Sequence, residues 1–159
     1  MRLLHLSVAI FAALFLIRPV IAAKDPKPFK LSVLYWSKNI PGQVAMRKGL
    51  EAEVERINAA ARSHGERGIE VHTYVAGDGP AGVENQIAQM RDAVLSRPDV
   101  IIVQPTDNAA LASPLKAANL AGIPVVAYDQ YISGGKLASY ITSDNRQAGY
   151  LGGEYLAAA

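Results

Sequence analysis

The sequence predicts an α/β domain, a parallel sheet flanked by helices on both faces. Three observations carry that prediction. Segments with strand character and segments with helical periodicity alternate for four rounds, and the strand starts fall near residues 31, 69, 100, 123 and 138. The central β-branched runs, "VIIV" at 100–103 and "IPVVA" at 123–127, do not alternate apolar with polar, as expected of parallel strands buried on both faces. Both runs then stop in polar side chains, "QPTDN" after the first and "YDQ" after the second.

The elements can be read in chain order. "KLSVLYW" (30–36) reads as the first strand. In the next segment Met46, Leu50, Val54, Ile57 and Ala61 recur at helical spacing with charges on the opposite face, and "SHGERG" stops that helix. "IEVHTYVA" (69–76) alternates and is β-branched, hence a strand. Val83, Ile87, Met90 and Val94 form a second helical stripe before "PD" turns the chain into the third strand. Asp107 and Asn108 are placed to cap a helix whose apolar side is Leu111, Leu115 and Ala118. "AGIPVVAYD" is a helix stop followed by a strand, "SGGK" a turn, "LASYITSD" a fifth strand, and "NRQAGYLGGEYLAAA" opens a last helix.

The first 23 residues stand apart. An early Arg, an apolar run from Leu3 to Ile17 and small residues at Ala22 and Ala23 have the layout of a secretory signal peptide. The run falls short of the ~20 residues that span a bilayer, and Arg18 and Pro19 end it. Of 16 basic residues, Arg2 and Arg18 lie in this segment, which has no acidic residue; 14 of each sign remain. The exported chain is thus neutral, which removes support for a nucleic-acid or anionic-membrane partner. With no Cys, disulfide and thiol chemistry are excluded.

In open parallel sheets ligands bind beyond the carboxyl ends of the strands. Those ends offer "YWSKN", "AGDG", "QPTDN", "YDQ" and "TSDN". Amides, hydroxyls, carboxylates and aromatic faces suit a neutral polyhydroxylated molecule. Neighbouring strand residues point to opposite faces, so only one of Tyr35 and Trp36 is expected at a cleft. Trp36, nearer the strand end, is the choice, and Tyr35 is assigned to the core.

Other chemistries are weaker. "GDGPAG" (77–82) matches G-x-G-x-x-G but follows the second strand, loses a backbone N–H at Pro80, and has no acidic residue at the end of the next strand. It reads as a glycine-rich turn. No G-x-S-x-G elbow or P-loop is present. His64 and His72 have no partner at ligand spacing, so no metal site is expected. Asp129 and Asp144 are conceivable as an acid/base pair. Hydrogen bonding to a ligand, or helix capping by Asp144, accounts for them more simply. No catalytic residue and no cofactor is assigned.

Taken together, "VIIVQPTDNAALASPLKAANLAGIPVVAYDQ" and "YITSDNRQAGYLGGEYLA" resemble the ribose-binding branch of the periplasmic substrate-binding proteins that serve sugar ABC transporters. The resemblance covers residues 30–159. It implies a Rossmann-like lobe of the type I periplasmic-binding fold, one of two lobes that close on a ligand about a hinge. It further implies that Gln104, Asp129, Gln130 and Ser143 face the ligand, with Trp36, Ser37, Asn39 and Gln43 contributing from the first loop. Two departures are visible. Gly42 and Gln43 stand where the family carries a stacking pair of Phe, and Gln130 stands for an Arg after the binding Asp. They leave the particular sugar open.

The expected organisation is a signal peptide at 1–23, a ligand-binding lobe at 30–142, and at 143–159 the start of a crossover helix toward a second lobe. The chain is about half the family's length and is expected to be a partial sequence. The implied partners are a sugar or polyol and the membrane permease of an ABC transporter, or alternatively a receptor kinase or chemoreceptor in a sensor. A secreted enzyme is the third reading. The lobe also resembles the effector domain of LacI-type repressors, but the signal peptide and the lack of a helix-turn-helix segment argue against that output.

Overall fold

The computed structural model describes residues 26–159; the signal-peptide expectation for residues 1–23 lies outside the described residues. Strand β1 (Phe29–Tyr35) leads to helix α1 (Pro41–His64), then β2 (Ile69–Val75), α2 (Gly79–Leu95) and β3 (Val100–Val103). Helix α3 (Ala112–Leu120), β4 (Val125–Tyr128), β5 (Ser139–Ile141) and α4 (Asn145–Ala158) complete the described chain. The five strands form one sheet in the order β2-β1-β3-β4-β5, every neighbouring pair parallel. This is the predicted α/β class. Connections that move across the sheet in one direction put α2 and α3 on one face, and the reverse step from β1 to β2 puts α1 on the other, as right-handed crossovers require.

Local chemistry sets the ends of these elements. Pro41 occupies the first turn of α1, where its missing N–H costs nothing. Gly65 closes α1 at φ 65°, its N–H donating back to the Ala61 carbonyl. At the start of α2, Gly82 lies so near the Gly77 carbonyl that a Cβ there would collide with it. The glycines of "GDGPAG" therefore let α2 approach the end of β2 closely. Asp144 caps α4 by accepting from Gln147 N at 2.9 Å.

Packing is uneven between the two faces. On the α2/α3 side Leu34, Ile101, Val103, Val125 and Ala127 are fully buried against Met90, Ala93, Leu115 and Ala118. On the other side, among the described residues, α1 alone faces the sheet. There Ile102, Val126 and Tyr128 are only half-buried, and Ile141 is exposed. These residues and Leu31 form the floor of an apolar groove along Met46, Leu50, Val54 and Ile57 of α1. Among the described residues β3 and β4 are thus fully buried on the α2/α3 face and half-buried on the α1 face. Helix α3 also starts later than the sequence suggests. Asp107 Oδ1 accepts from the N–H groups of Ala109 and Ala110 at 2.8 and 2.7 Å, capping a separate turn, and α3 begins at Ala112.

Candidate functional site at the carboxyl edge of the sheet

In the order 2-1-3-4-5 the chain reverses direction between β1 and β3, and the loops leaving those strands diverge to opposite faces. Such a switch point is where open α/β sheets hold ligands. Trp36 and Ser37 follow β1 directly, Gln104 follows β3, and Asp129 follows the adjacent β4. The topology thus gathers at one edge the polar residues that end the buried strands.

Asp129 is fixed from several sides. Its φ is 65°, one of two positive values among the described non-glycine residues. A side chain in this region carries a steric cost, and Asp tolerates it better than most. The tight turn is closed by Gln130 N donating to the Tyr128 carbonyl at 2.8 Å. Asp129 N donates to the Ile141 carbonyl at 2.9 Å. The hydroxyls of Tyr140 and Thr142 both donate to the Asp129 carbonyl at 3.1 Å. Finally Gln104 Nε2 donates to Asp129 Oδ2 at 3.0 Å. The residue is exposed, so the carboxylate retains acceptor capacity toward solvent or a ligand. Strain held in place by this many bonds points to function.

The other predicted residues fall into two sets. Asn39, Ser143 and Asp129 are exposed, and Trp36 and Gln130 are half-buried. Ser37 and Gln43 are buried, and Gln104 is 0% exposed. Ser37 Oγ accepts from Asn39 N at 3.2 Å, which folds the first loop on itself. Ser143 Oγ donates to Asn145 Oδ1 at 2.9 Å, at the start of α4. Gln104 lies behind Asp129, with its Oε1 buried and unpartnered among the described residues; the same is true of Gln43 Oε1 and the Tyr35 hydroxyl. Tyr35 is buried beneath α1.

Tyr128, next to Asp129, and Tyr35, near Tyr128, are both perturbed. Burial raises the Tyr128 hydroxyl well above its usual value near 10, and the nearby Tyr35 and Asp129 raise it further. Burial likewise raises Tyr35, Glu51 adding to the shift and Arg47 opposing it. Both hydroxyls are neutral at physiological pH. Asp144 is committed to capping α4, so an acid/base partnership with Asp129 has no support in the geometry. Among the described residues no cluster of three or more metal-ligating side chains occurs.

Sequence reasoning missed four residues. Tyr140 and Thr142 fix the Asp129 backbone, and Gln86 and Thr106 brace the end of β3. The "T" of "QPTDN" and the "YIT" before "SDN" were the available signals. Gln86 gave none, because the apolar stripe of Val83, Ile87, Met90 and Val94 leaves it out.

The family described as "Periplasmic binding protein domain" matches residues 31–159. The ribose import binding protein RbsB of Bacillus subtilis is 26% identical over 133 residues, covering 84% of this chain and 39% of that protein. The solved structure of a Caulobacter myo-inositol binding protein bound to myo-inositol is 27% identical with a TM-score of 0.60, covering 80% of this chain and 39% of that one. The fructose binding periplasmic domain of the hybrid two component system BT1754 gives 25% identity and a TM-score of 0.64, covering 82% of this chain and 39% of that one. The chain spans about two fifths of the length of the relatives it matches. From its strand order, its polar carboxyl edge and a match that runs from β1 through α4, this chain belongs to the periplasmic binding protein domain family.

Proposed function

We propose that this chain is the ligand-binding lobe, residues 30–142, of a periplasmic solute-binding protein. It captures a sugar or polyol for an ABC importer, with residues 1–23 directing export and 143–159 beginning the crossover to a second lobe. The observation that carries the reading is Asp129, strained and braced at the carboxyl end of β4 with an exposed carboxylate. Such a carboxylate accepts hydrogen bonds from vicinal hydroxyls. Trp36 lies at the end of β1, one strand beyond β3 from Asp129, where an indole face covers sugar C–H groups. Gln130, Asn39 and Ser143 extend the polar rim, while Ser37, Gln43 and Gln104 shape it from behind. Closure of a second lobe excludes water and strengthens each of these bonds.

The test exploits composition. Trp36 is the sole tryptophan of these 159 residues, so a fluorescence change on binding that is lost in Trp36→Phe is assigned to the site. The complete gene product is titrated with D-ribose, D-glucose, L-arabinose, D-fructose and myo-inositol. A saturable change with at least one of them, without turnover, supports the reading; no response to any polyol overturns it. A sensor output is the second reading, favoured by the likeness to the fructose binding domain of a two component system. Neighbouring genes for an ATPase and permease would select transport, and a neighbouring kinase would select sensing.

A further inference from the structure

Helix α2 sends three side-chain amides to the carboxyl edge of the sheet. Asn85 Nδ2 donates to the Ala76 carbonyl at 3.0 Å and Gln89 Nε2 to the Val75 carbonyl at 2.8 Å, both at the end of the edge strand β2. Gln86 reaches inward instead. Its Nε2 donates to the Gln104 carbonyl at 2.8 Å, while its Oε1 accepts from Thr106 N at 2.7 Å and Thr106 Oγ1 at 3.0 Å. It is 0% exposed, level on the helix with the core residues Met90 and Ala93. A primary amide at such a position is costly unless its bonds are made.

Those bonds bracket Pro105. They fix the backbone on either side of it, and one of the two residues they fix is Gln104, whose side chain donates to Asp129 Oδ2. A carboxylate takes only a donor, so the Gln104 amide must present Nε2 to it. The path runs from α2 through the end of β3 to the exposed carboxylate. We propose that Gln86 is a positioning residue of the ligand site, setting the Gln104 amide against Asp129. The inference rests on the reading of that site as a sugar- or polyol-binding one. Loss of Gln86 strands the Gln104 carbonyl and Thr106 N–H in a buried place, and the loop must shift to reach other partners. Supporting bonds of this kind hold a binding constellation within a fraction of an ångström.

The test is a double-mutant cycle in the complete gene product, read by titration with whichever of the five polyols binds the native protein most tightly. Gln86→Met is expected to raise Kd up to about fivefold in the native background, no more than Gln104→Met itself, and less than twofold in a Gln104→Met background. An unchanged Kd, or the same fold-change in both backgrounds, overturns the proposal, since a merely structural role lowers Tm without that dependence. Should Gln86→Met not fold, Thr106→Val removes one of the three bonds; about threefold weaker binding, abolished in the Gln104→Met background, is then expected. Additive or absent effects in that cycle overturn the proposal equally. If the native protein binds no sugar, the functional reading fails separately. Hydrogen exchange of the Gln104 side-chain amide then decides: at least about tenfold faster exchange on loss of Gln86 or Thr106 Oγ1 supports the relay, and unchanged exchange overturns it.

Discussion

Gln104 and Asp129 meet across the ends of β3 and β4, Nε2 donating to Oδ2 at 3.0 Å. One partner is wholly buried and the other exposed. That asymmetry divides the labour of the site. Gln104 cannot reach a ligand without movement, so its influence passes through the carboxylate it orients.

Asp129→Ala is therefore expected to weaken sugar binding by about tenfold or more, the loss of at least one charge-assisted hydrogen bond. Gln104→Met should have a smaller effect, near fivefold, because the carboxylate survives but loses its guide. Calorimetric titration of both variants against the native protein checks the order. A larger loss in Gln104→Met than in Asp129→Ala would reverse the assignment of roles.

Stability should move the other way at the same residue. With φ at 65°, Asp129 sits where glycine has no steric penalty. Asp129→Gly is expected to leave the folded lobe as stable or about 1 kcal/mol more stable, while abolishing the carboxylate contribution to binding. Urea unfolding measures the first and titration the second. A marked fall in stability would mean that the Gln104 bond contributes more to folding than the strain costs.

How much of this was legible in the sequence depends on what each signal measures. The strands were readable because β-branched runs of four or five residues have few other uses, and their polar ends marked the carboxyl edge. Burial along α2 was not. Apolar weight selected Val83, Ile87, Met90 and Val94, whereas the fully inward register is Gly82, Gln86, Met90 and Ala93. A glycine needed for close approach and an amide needed for three hydrogen bonds carry no apolar signal. Asp129 was found by its place after a strand, but its left-handed backbone was not, since Asp adopts many conformations. Gln104 was expected to face a ligand from the family resemblance; side-chain packing buries it, with its amide donating to Asp129. Positional reasoning locates a strand end without resolving which side chain is in front.

Gly82 offers a test of the glycine-rich turn. A Cβ at this position collides with the Gly77 carbonyl, a backbone atom that cannot swing aside. Gly82→Ala should displace the start of α2 and destabilise the lobe by about 1–3 kcal/mol, although alanine is the better helix former. Thermal or urea unfolding checks this. An unchanged midpoint would show that α2 can slide away from β2 without loss.

The tyrosines beneath α1 predict a response to alkali. Tyr35 and Tyr128 both have folded-state pKa values raised above their ordinary value near 10, burial being the largest cause in each. Above pH 10 the unfolded chain releases these protons while the native state retains them, so the unfolded state binds fewer protons and stability falls with rising pH. Their contribution is fully present below about pH 10 and is lost as pH climbs toward the folded values. Tyr128→Phe should flatten the decline between about pH 10 and 12. Tyr35→Phe should do the same and also raise stability at pH 7 by about 1 kcal/mol, because the buried Tyr35 hydroxyl has no hydrogen-bond partner among the described residues. Urea midpoints across that pH range distinguish the effects. A Tyr35→Phe variant less stable than the native protein at pH 7 would mean that the hydroxyl is hydrogen-bonded in solution, through a water held beneath α1.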